Sequence, residues 1–508
     1  MLTALSRAQV LIFQPIHRYR FPHMKPIIKS EFAPLELVMV HTPGEEHNQI
    51  IPWEGDHVMM GSYPRVYREL QKDHRELKTH LQQQIGLENV LEISDMLKEV
   101  FENDDFQYRF DVLKDTLYGE AETYIDHLQA RGIKLSKYPA EEIVRDLIQG
   151  YPRSLTLNNH RLPKIIIPPK RELMWVRDSA ATTQVGVIIT NMYSNRRKPE
   201  TNLVRAVFKY HPMFDRDSIF MDMVEILRDI KDDPAWSGLT DHLLLEGGNI
   251  VVLNEECLAI GVGRYENLYS NRTTRAAFNL LVEKLFEADK EEKVKRIYMV
   301  NVPDLNGFLH LDSVFNMVGP KSALVMPYIF GHPDPIVEMS PKAVLQNFVY
   351  WLRRNIGENR TDMSRIPDRA MFDHAGKVEI YDRETYKKLG RIERSAQASR
   401  YFLDQLFEDG ILDPESISWI GGPLKDYITP YEHLKVALFE QHNMAGNVFA
   451  TAPFQTVNYH RSPLTSNALL KDMKKKSKHA QVHLMSSNEI RTDSGGPHCL
   501  TMPLKRAE

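Results

Sequence analysis

The segment Ile250-Val251-Val252-Leu253-Asn254-Glu255-Glu256-Cys257-Leu258-Ala259-Ile260-Gly261-Val262-Gly263 sets two apolar runs on either side of a polar step. Short runs rich in Val, Ile and Leu around a turn former read as strands, so it predicts a β-hairpin turning near Asn254-Glu255. Downstream, Thr273 to Phe286 reads as a helix and Arg296 to Val302 as a strand. A hairpin, then a helix, then a strand is the α/β order, because a strand that follows a helix rejoins its sheet by a crossover.

The same alternation extends both ways. Leu35 to Thr42 is a predicted strand ending at Pro43-Gly44. Tyr63 to Ile85 follows as a helix with Val66, Leu70, Leu77 and Leu81 at helical spacing, then a strand near Asn89 to Ile93. Lys164 to Pro169 and Gly186 to Tyr193 read as strands and Thr201 to Lys209 as a helix. Further on, Ser322 to Ile329, Ile417 to Ile420, Asn447 to Ala452 and Gln481 to Met485 read as strands. Two insertions interrupt the pattern. Residues 97–151 are helical in period with no β-rich run, and residues 341–416 hold predicted helices at Ala343 to Ile356 and Ser399 to Phe407. No sequence repeat is visible. Residues 1–30 carry Arg7, Arg18, Arg20, Lys25 and Lys29 with no acid before Glu31, and read as a flexible N-terminal extension. Residues 31–508 are then expected to form one α/β domain that holds both insertions.

Composition bounds the function. With 42% hydrophobic and 26% charged residues, the 508-residue chain can bury a sizeable core. A net charge of −4 argues against a general nucleic-acid or membrane-surface binder. Two cysteines, Cys257 and Cys499, make neither a disulfide framework nor a thiolate zinc site, and fit a reducing compartment. No apolar run approaches the roughly 18 residues of a membrane helix. The expectation is a soluble, cytoplasmic protein.

Five places carry candidate chemistry. Gly495-Gly496-Pro497-His498-Cys499-Leu500-Thr501-Met502-Pro503-Leu504 holds a thiol on a tight turn, and a thiolate is a strong nucleophile near neutrality. Arg177-Asp178 follows an apolar run, and Glu246-Gly247-Gly248 sets a carboxylate against glycines that permit close backbone approach. His310 and Asp312 share one face if their segment is strand-like. Arg196, Arg197, Arg272 and Arg275 are an anion-binding set. Each has a plainer reading: a buried cysteine, a surface salt bridge, a loop before a strand, a self-satisfied His–Asp pair, solvated arginines. Together they describe attack by a thiolate on a cationic carbon, since paired carboxylates recognise a planar guanidinium by charge-assisted hydrogen bonds.

In that order the motifs resemble those of arginine deiminase, in the guanidine-modifying superfamily: Arg177-Asp178, Glu246-Gly247-Gly248, His310-Leu311-Asp312-Ser313-Val314-Phe315 and the C-terminal cysteine motif. The likeness runs from about Glu31 to the end. It implies an α/β fold of the pentein kind, a five-bladed pseudo-symmetric α/β propeller with helical insertions. It implies that Asp178 and Asp312 grip the guanidinium and that Cys499 attacks its carbon. His310, held by Glu246, would protonate the departing ammonia and then activate water on the S-alkylthiouronium intermediate, leaving L-citrulline from L-arginine. Arg197 and Arg272 match carboxylate-binding arginines. The implied partner is a small-molecule guanidino substrate, with no nucleic acid, membrane, metal or organic cofactor, and homo-oligomer formation is left open. Glu172 stands where the family usually has asparagine, and Ser494 where some members have arginine. The alternatives are an amidinotransferase, a hydrolase of another guanidino compound, and a catalytically inert binder; Cys257 is expected to be a packing residue.

Overall fold

In the computed structural model, which describes residues 23–48, 67–152, 165–230, 242–263, 272–303, 308–333, 340–356, 374–393, 396–490 and 495–507, the opening hairpin is present as read. Ile250–Asn254 pairs antiparallel with Cys257–Gly263, Ile250 opposite Ile260. Cys257–Gly263 then runs parallel to Arg296–Val302, reached through the helix Arg275–Ala288. Thr274 caps that helix by accepting from the Ala277 N–H at 3.3 Å, which satisfies one of its free first-turn donors.

The same three-strand pairing recurs in four other sheets among the described residues. Ala180–Thr182 pairs antiparallel with Val187–Ile189, which runs parallel to Ile219–Asp222 across the helix Lys198–Tyr210. Phe315–Gly319, Ser322–Val325 and Ile417–Trp419 repeat it, as do Phe449–Ala452, Gln455–Tyr459 and Gln481–Met485. In the fifth, the C-terminal strand Met502–Arg506 pairs antiparallel with the N-terminal Leu35–Val40, which runs parallel to Val90–Glu92 across the helix Tyr67–Ile85. Each parallel step needs a crossover, and a helix supplies it. The fold is α/β, and it repeats in backbone pairing although no repeat shows in the residues.

The apolar pattern explains the packing. Helix Tyr67–Ile85 buries Leu70, Leu77 and Leu81 at the predicted spacing, and strands such as Val187–Ile189 are buried throughout. Removing one such side chain from water contributes about 1.5–3 kcal/mol.

Several expectations shift. Residues 93–149 do form four α-helices, Ile93–Phe101, Phe106–Leu117, Ala121–Ala130 and Ala140–Gln149. Residues 165–169 form no strand, only an isolated bridge between Ile167 and Tyr151, since Pro168 and Pro169 lack ladder donors. The helix expected from Ser399 begins at Phe402; Ala396–Tyr401 is a strand. With the unforeseen strand Lys377–Asp382 it extends the hairpin sheet to five strands. Of the expected N-terminal extension, residues 1–22 lie outside the described residues. The Met24 N–H donates to the Met213 carbonyl at 2.8 Å and the Ile28 N–H to that of Thr183 at 3.0 Å. Among the described residues no helix is long and apolar enough to cross a membrane.

Candidate active site

Chain outside a β-ladder is free to turn, and the five candidates Asp178, Glu246, His310, Asp312 and Cys499 lie in or just ahead of turns that lead into first strands. Arg177 and Asp178 belong to the one-turn helix Val176–Ser179 ahead of Ala180–Thr182. Glu246 precedes the turn Gly247–Asn249 ahead of Ile250–Asn254. His310 precedes the turn Leu311–Ser313, which carries Asp312 toward Phe315–Gly319. Cys499 lies in the turn before Met502–Arg506. A tight turn, not strand alternation, therefore sets His310 and Asp312.

These turns bring the five residues together. Cys499 is 6% exposed; its thiol donates to Asp312 Oδ2 at 3.7 Å and its N–H to Asn447 Oδ1 at 3.1 Å. His310 Nε2 lies 2.7 Å from Glu246 Oε2, and its Nδ1 lies 3.6 Å from Asp178 Oδ1. Asp178 Oδ1 and Asp312 Oδ1 are both buried and have no hydrogen-bond partner among the described residues. Two orphaned acceptors are costly unless something cationic satisfies them. The glycines of the motifs serve close approach. A Cβ at Gly248 would stand 2.6 Å from His310 Nδ1, and one at Gly496 the same 2.6 Å from the Asn447 side chain.

Charge reinforces the arrangement. Burial pushes the Cys499 thiol well above its ordinary value, and the Asp312 and Asp178 carboxylates push the same way. Burial alone would lower His310, but Asp178 and the bond to Glu246 outweigh it and hold the imidazole above its ordinary value. Glu246 goes the other way: burial would raise it, yet Arg272 and His310 keep it ionised.

The arginines divide. Arg196 and Arg275 are exposed, and Arg275 pairs with Glu379. Arg197 and Arg272 are buried at the site but already engaged. Arg197 donates from Nη1 to Asp178 Oδ2 at 2.7 Å, from Nε to Glu200 at 3.1 Å, and from Nη2 to the Glu172 and Trp175 carbonyls at 3.4 Å. Arg272 Nη1 donates to Glu246 Oε1 at 3.3 Å, its guanidinium 5.0 Å from the centre of the Tyr193 ring. Glu200 is pushed up to about 7 by burial, against Arg197 and with Glu172. The Glu172 carboxylate accepts the Trp175 indole N–H at 2.9 Å. Ser494 lies outside the described residues.

Arg177 and Asp178 are not a surface salt bridge: both are buried, and Arg177 Nη1 lies 3.3 Å from Glu31 while Nε donates to the Thr501 carbonyl at 3.0 Å. Cys257 is buried in an apolar cluster away from these groups, its thiol pushed up to about 11 by burial. Sequence reasoning missed three site residues: Glu31, His498 and Asn447. His498 Nδ1 lies 2.7 Å from Asp312 Oδ2 and Nε2 lies 3.4 Å from Glu31 Oε2. Asn447 Nδ2 donates to the Asp312 carbonyl at 3.1 Å. The available signal was positional, since Asn447 and His498 also stand just ahead of first strands.

Asp178, Glu246 and His310 offer ligand atoms within 4.8 Å of one another, a spacing that would also suit a small metal ion. Arg197 and Arg272 already set guanidinium groups on two of those carboxylates, so a metal would compete with fixed cations. The donor set suits a planar, hydrogen-bonding cation better.

A family model described as arginine deiminase matches residues 62–361 and 429–506, leaving 362–428 between the two segments. An arginine deiminase of Listeria monocytogenes is 25% identical over 494 residues, 94% of this chain and 97% of the relative. A solved mutant of DDAH from Pseudomonas aeruginosa complexed with citrulline is 10% identical, with a TM-score of 0.40 over 92% of this chain and 99% of that one. AgrE, solved as a ternary complex with ornithine and NAD+, is 13% identical with a TM-score of 0.35. That match covers 66% of this chain and 31% of AgrE.

Proposed function

Because the chain belongs to the arginine deiminase family, we propose that it hydrolyses L-arginine to L-citrulline and ammonia through a covalent intermediate on Cys499. The observation that carries this reading is the pair of buried oxygens without a hydrogen bond among the described residues, Asp178 Oδ1 and Asp312 Oδ1, on the two carboxylates that act on the Cys499 thiol.

A guanidinium bridging those oxygens supplies the missing donors. Its positive charge beside Sγ also reverses the field that keeps the thiol protonated, so the thiol gives up its proton to solvent and thiolate forms where substrate is bound. Sulfur attacks the central carbon, and the C–N bond breaks as His310 protonates the departing ammonia. Glu246 stabilises the imidazolium before that transfer. Neutral His310 then takes a proton from water, whose oxygen attacks the thiouronium carbon. The C–S bond breaks, releasing the ureido product and regenerating Cys499.

L-Arginine brings two cations, the guanidinium and the α-ammonium, and one anion, the α-carboxylate. Its guanidinium takes Asp178 in place of Arg197, and Arg197, with Arg272, receives the α-carboxylate. One internal ion pair is thereby exchanged for two with substrate. The five sheets are the blades of a pseudo-symmetric propeller around this site, with residues 97–151 and 341–416 as insertions. The stretch between the two family-matched segments supports the second. The enzyme works in the cytoplasm, where Cys257 and Cys499 stay reduced.

The test is a mass-spectrometric screen of the purified chain with arginine, agmatine, methylated arginines and guanidinoacetate, alongside an ammonia assay. Citrulline and equimolar ammonia from arginine are expected. A preference for agmatine overturns the carboxylate role of Arg197 and Arg272, and amidine transfer without ammonia overturns the hydrolase.

A further inference from the structure

We propose that His498 is a positioning residue that fixes Asp312 beside the nucleophile, braced from behind by Glu31; this rests on reading the site as a guanidinium–thiol centre. Asp312 has two oxygens with different tasks. Oδ2 faces His498 Nδ1 at 2.7 Å and takes the Cys499 thiol at 3.7 Å, whereas Oδ1 is buried with no hydrogen-bond partner among the described residues. A carboxylate oxygen accepts, so in a hydrogen bond at this distance the ring nitrogen is the donor. Anchoring one oxygen sets the carboxylate plane, and the other is then presented at a fixed angle.

The imidazole is itself held at every point that could let it turn. Nε2 lies 3.4 Å from Glu31 Oε2, and Glu31 is in turn pinned by Arg177 and by the Val252 N–H at 3.5 Å. The backbone N–H of His498 donates to the Asn447 backbone carbonyl at 3.3 Å, and Asn447 Nδ2 donates to the Asp312 backbone carbonyl at 3.1 Å. The Phe449 ring, centred 6.2 Å away, packs beside it.

The order of groups repeats on the other side of the site. Asp178 faces Nδ1 of His310, whose Nε2 meets Glu246, just as Asp312 faces Nδ1 of His498, whose Nε2 meets Glu31. The distances separate the roles. His310 Nδ1 is 3.6 Å from its aspartate, too long for a hydrogen bond, and is left to exchange protons. His498, at 2.7 Å, is committed to holding its own.

The test compares two near-isosteric amides. Asparagine keeps a donor near the Nδ1 position and glutamine near Nε2, so His498→Asn retains the contact with Asp312 and His498→Gln does not. The full chain is alkylated with cationic 2-chloroacetamidine and neutral 2-chloroacetamide, which share a leaving group, and peptide mapping confirms reaction at Cys499. The ratio of the two inactivation rates reads the carboxylate pair without requiring turnover. His498→Gln is expected to lower that ratio by about tenfold or more, and His498→Asn to stay within about threefold of the parent. Glu31→Gln, which leaves His498 in place, should lower it in the same direction. Equal ratios for the Asn and Gln variants, or no change in Glu31→Gln, overturn the proposal. A parent chain with no preference for the cationic reagent instead overturns the guanidinium reading beneath it.

Discussion

Gly248→Ala puts a methyl group where the His310 ring now packs. On the present backbone that Cβ would lie 2.6 Å from Nδ1, 2.8 Å from Cγ and 3.0 Å from Cβ of His310. Ordinary contact begins at 3.4 Å, so the ring must retreat by roughly 0.8 Å, a small-to-large perturbation worth about 1–3 kcal/mol of stability. The backbone at Gly248 is not in the left-handed region, so the clash itself is the perturbation. A retreat of that size strains or breaks the 2.7 Å bond between His310 and Glu246. Misplacing a catalytic group by about 1 Å costs on the order of 100-fold, so kcat should fall about 30- to 100-fold. Asp178 and Asp312 are not displaced, so KM should stay within about threefold. Citrulline and ammonia release give the rates, and urea melts give the stability. A folded variant that keeps kcat within about twofold of the parent would refute the claim that this glycine exists for the ring.

Other outcomes follow from the same geometry. Asp312→Asn and Asp178→Asn each remove a charge that, after burial, holds the Cys499 thiol up. Thiolate absorbance should therefore titrate at lower pH in both, while affinity for a guanidino ligand drops by about tenfold or more; a rise in the thiol midpoint would contradict the field described. Cys499→Ser should lower turnover by about 1,000-fold or more, whereas Cys257→Ala should keep full activity and cost only about 1 kcal/mol in urea melts. His74 is buried, and burial holds it down to about 4, with Glu92 opposing. A histidine lowered in the fold leaves the extra proton to the unfolded chain, so its stabilising share is full above 6.5 and shrinks as pH falls toward 4. His74→Leu should remove about 2–3 kcal/mol of that acid-side loss, and an unchanged slope in melts across this window would count against it.

The hairpin around Asn254-Glu255 was legible because apolar runs and a polar turn are local facts. Cys499, Asp178, Glu246, His310 and Asp312 were legible as motifs, through chemistry and spacing. What the motifs did not reveal was their connection. Arg177 and Asp178, adjacent in sequence, take different partners, Glu31 and Arg197, because a one-turn helix points them apart. The repeat escaped notice because it is a repeat of strand pairing: the residues ahead of the five first strands include Asp178, Glu246, His310, Asn447 and Cys499, which share no residue type. Asn447 has no reactive group, and only the folded chain sets its amide between Asp312 and the turn that carries Cys499. Lys377–Asp382 alternates charge with apolar residues and becomes a strand only because Arg296–Val302 offers it a free edge.

The pairing of Met502–Arg506 with Leu35–Val40 has a consequence for biosynthesis. The strand that completes this sheet is made long after Leu35–Val40, and the turn that carries Cys499 delivers it. At about 5–20 residues per second, an emerging chain waits roughly 20–90 s with Leu35–Val40 unpaired on that side. During that interval the edge is open to wrong partners, and the thiol does not yet exist. A ribosome that stops before Cys499 therefore releases a chain lacking both the strand that closes this sheet and the Cys499 thiol.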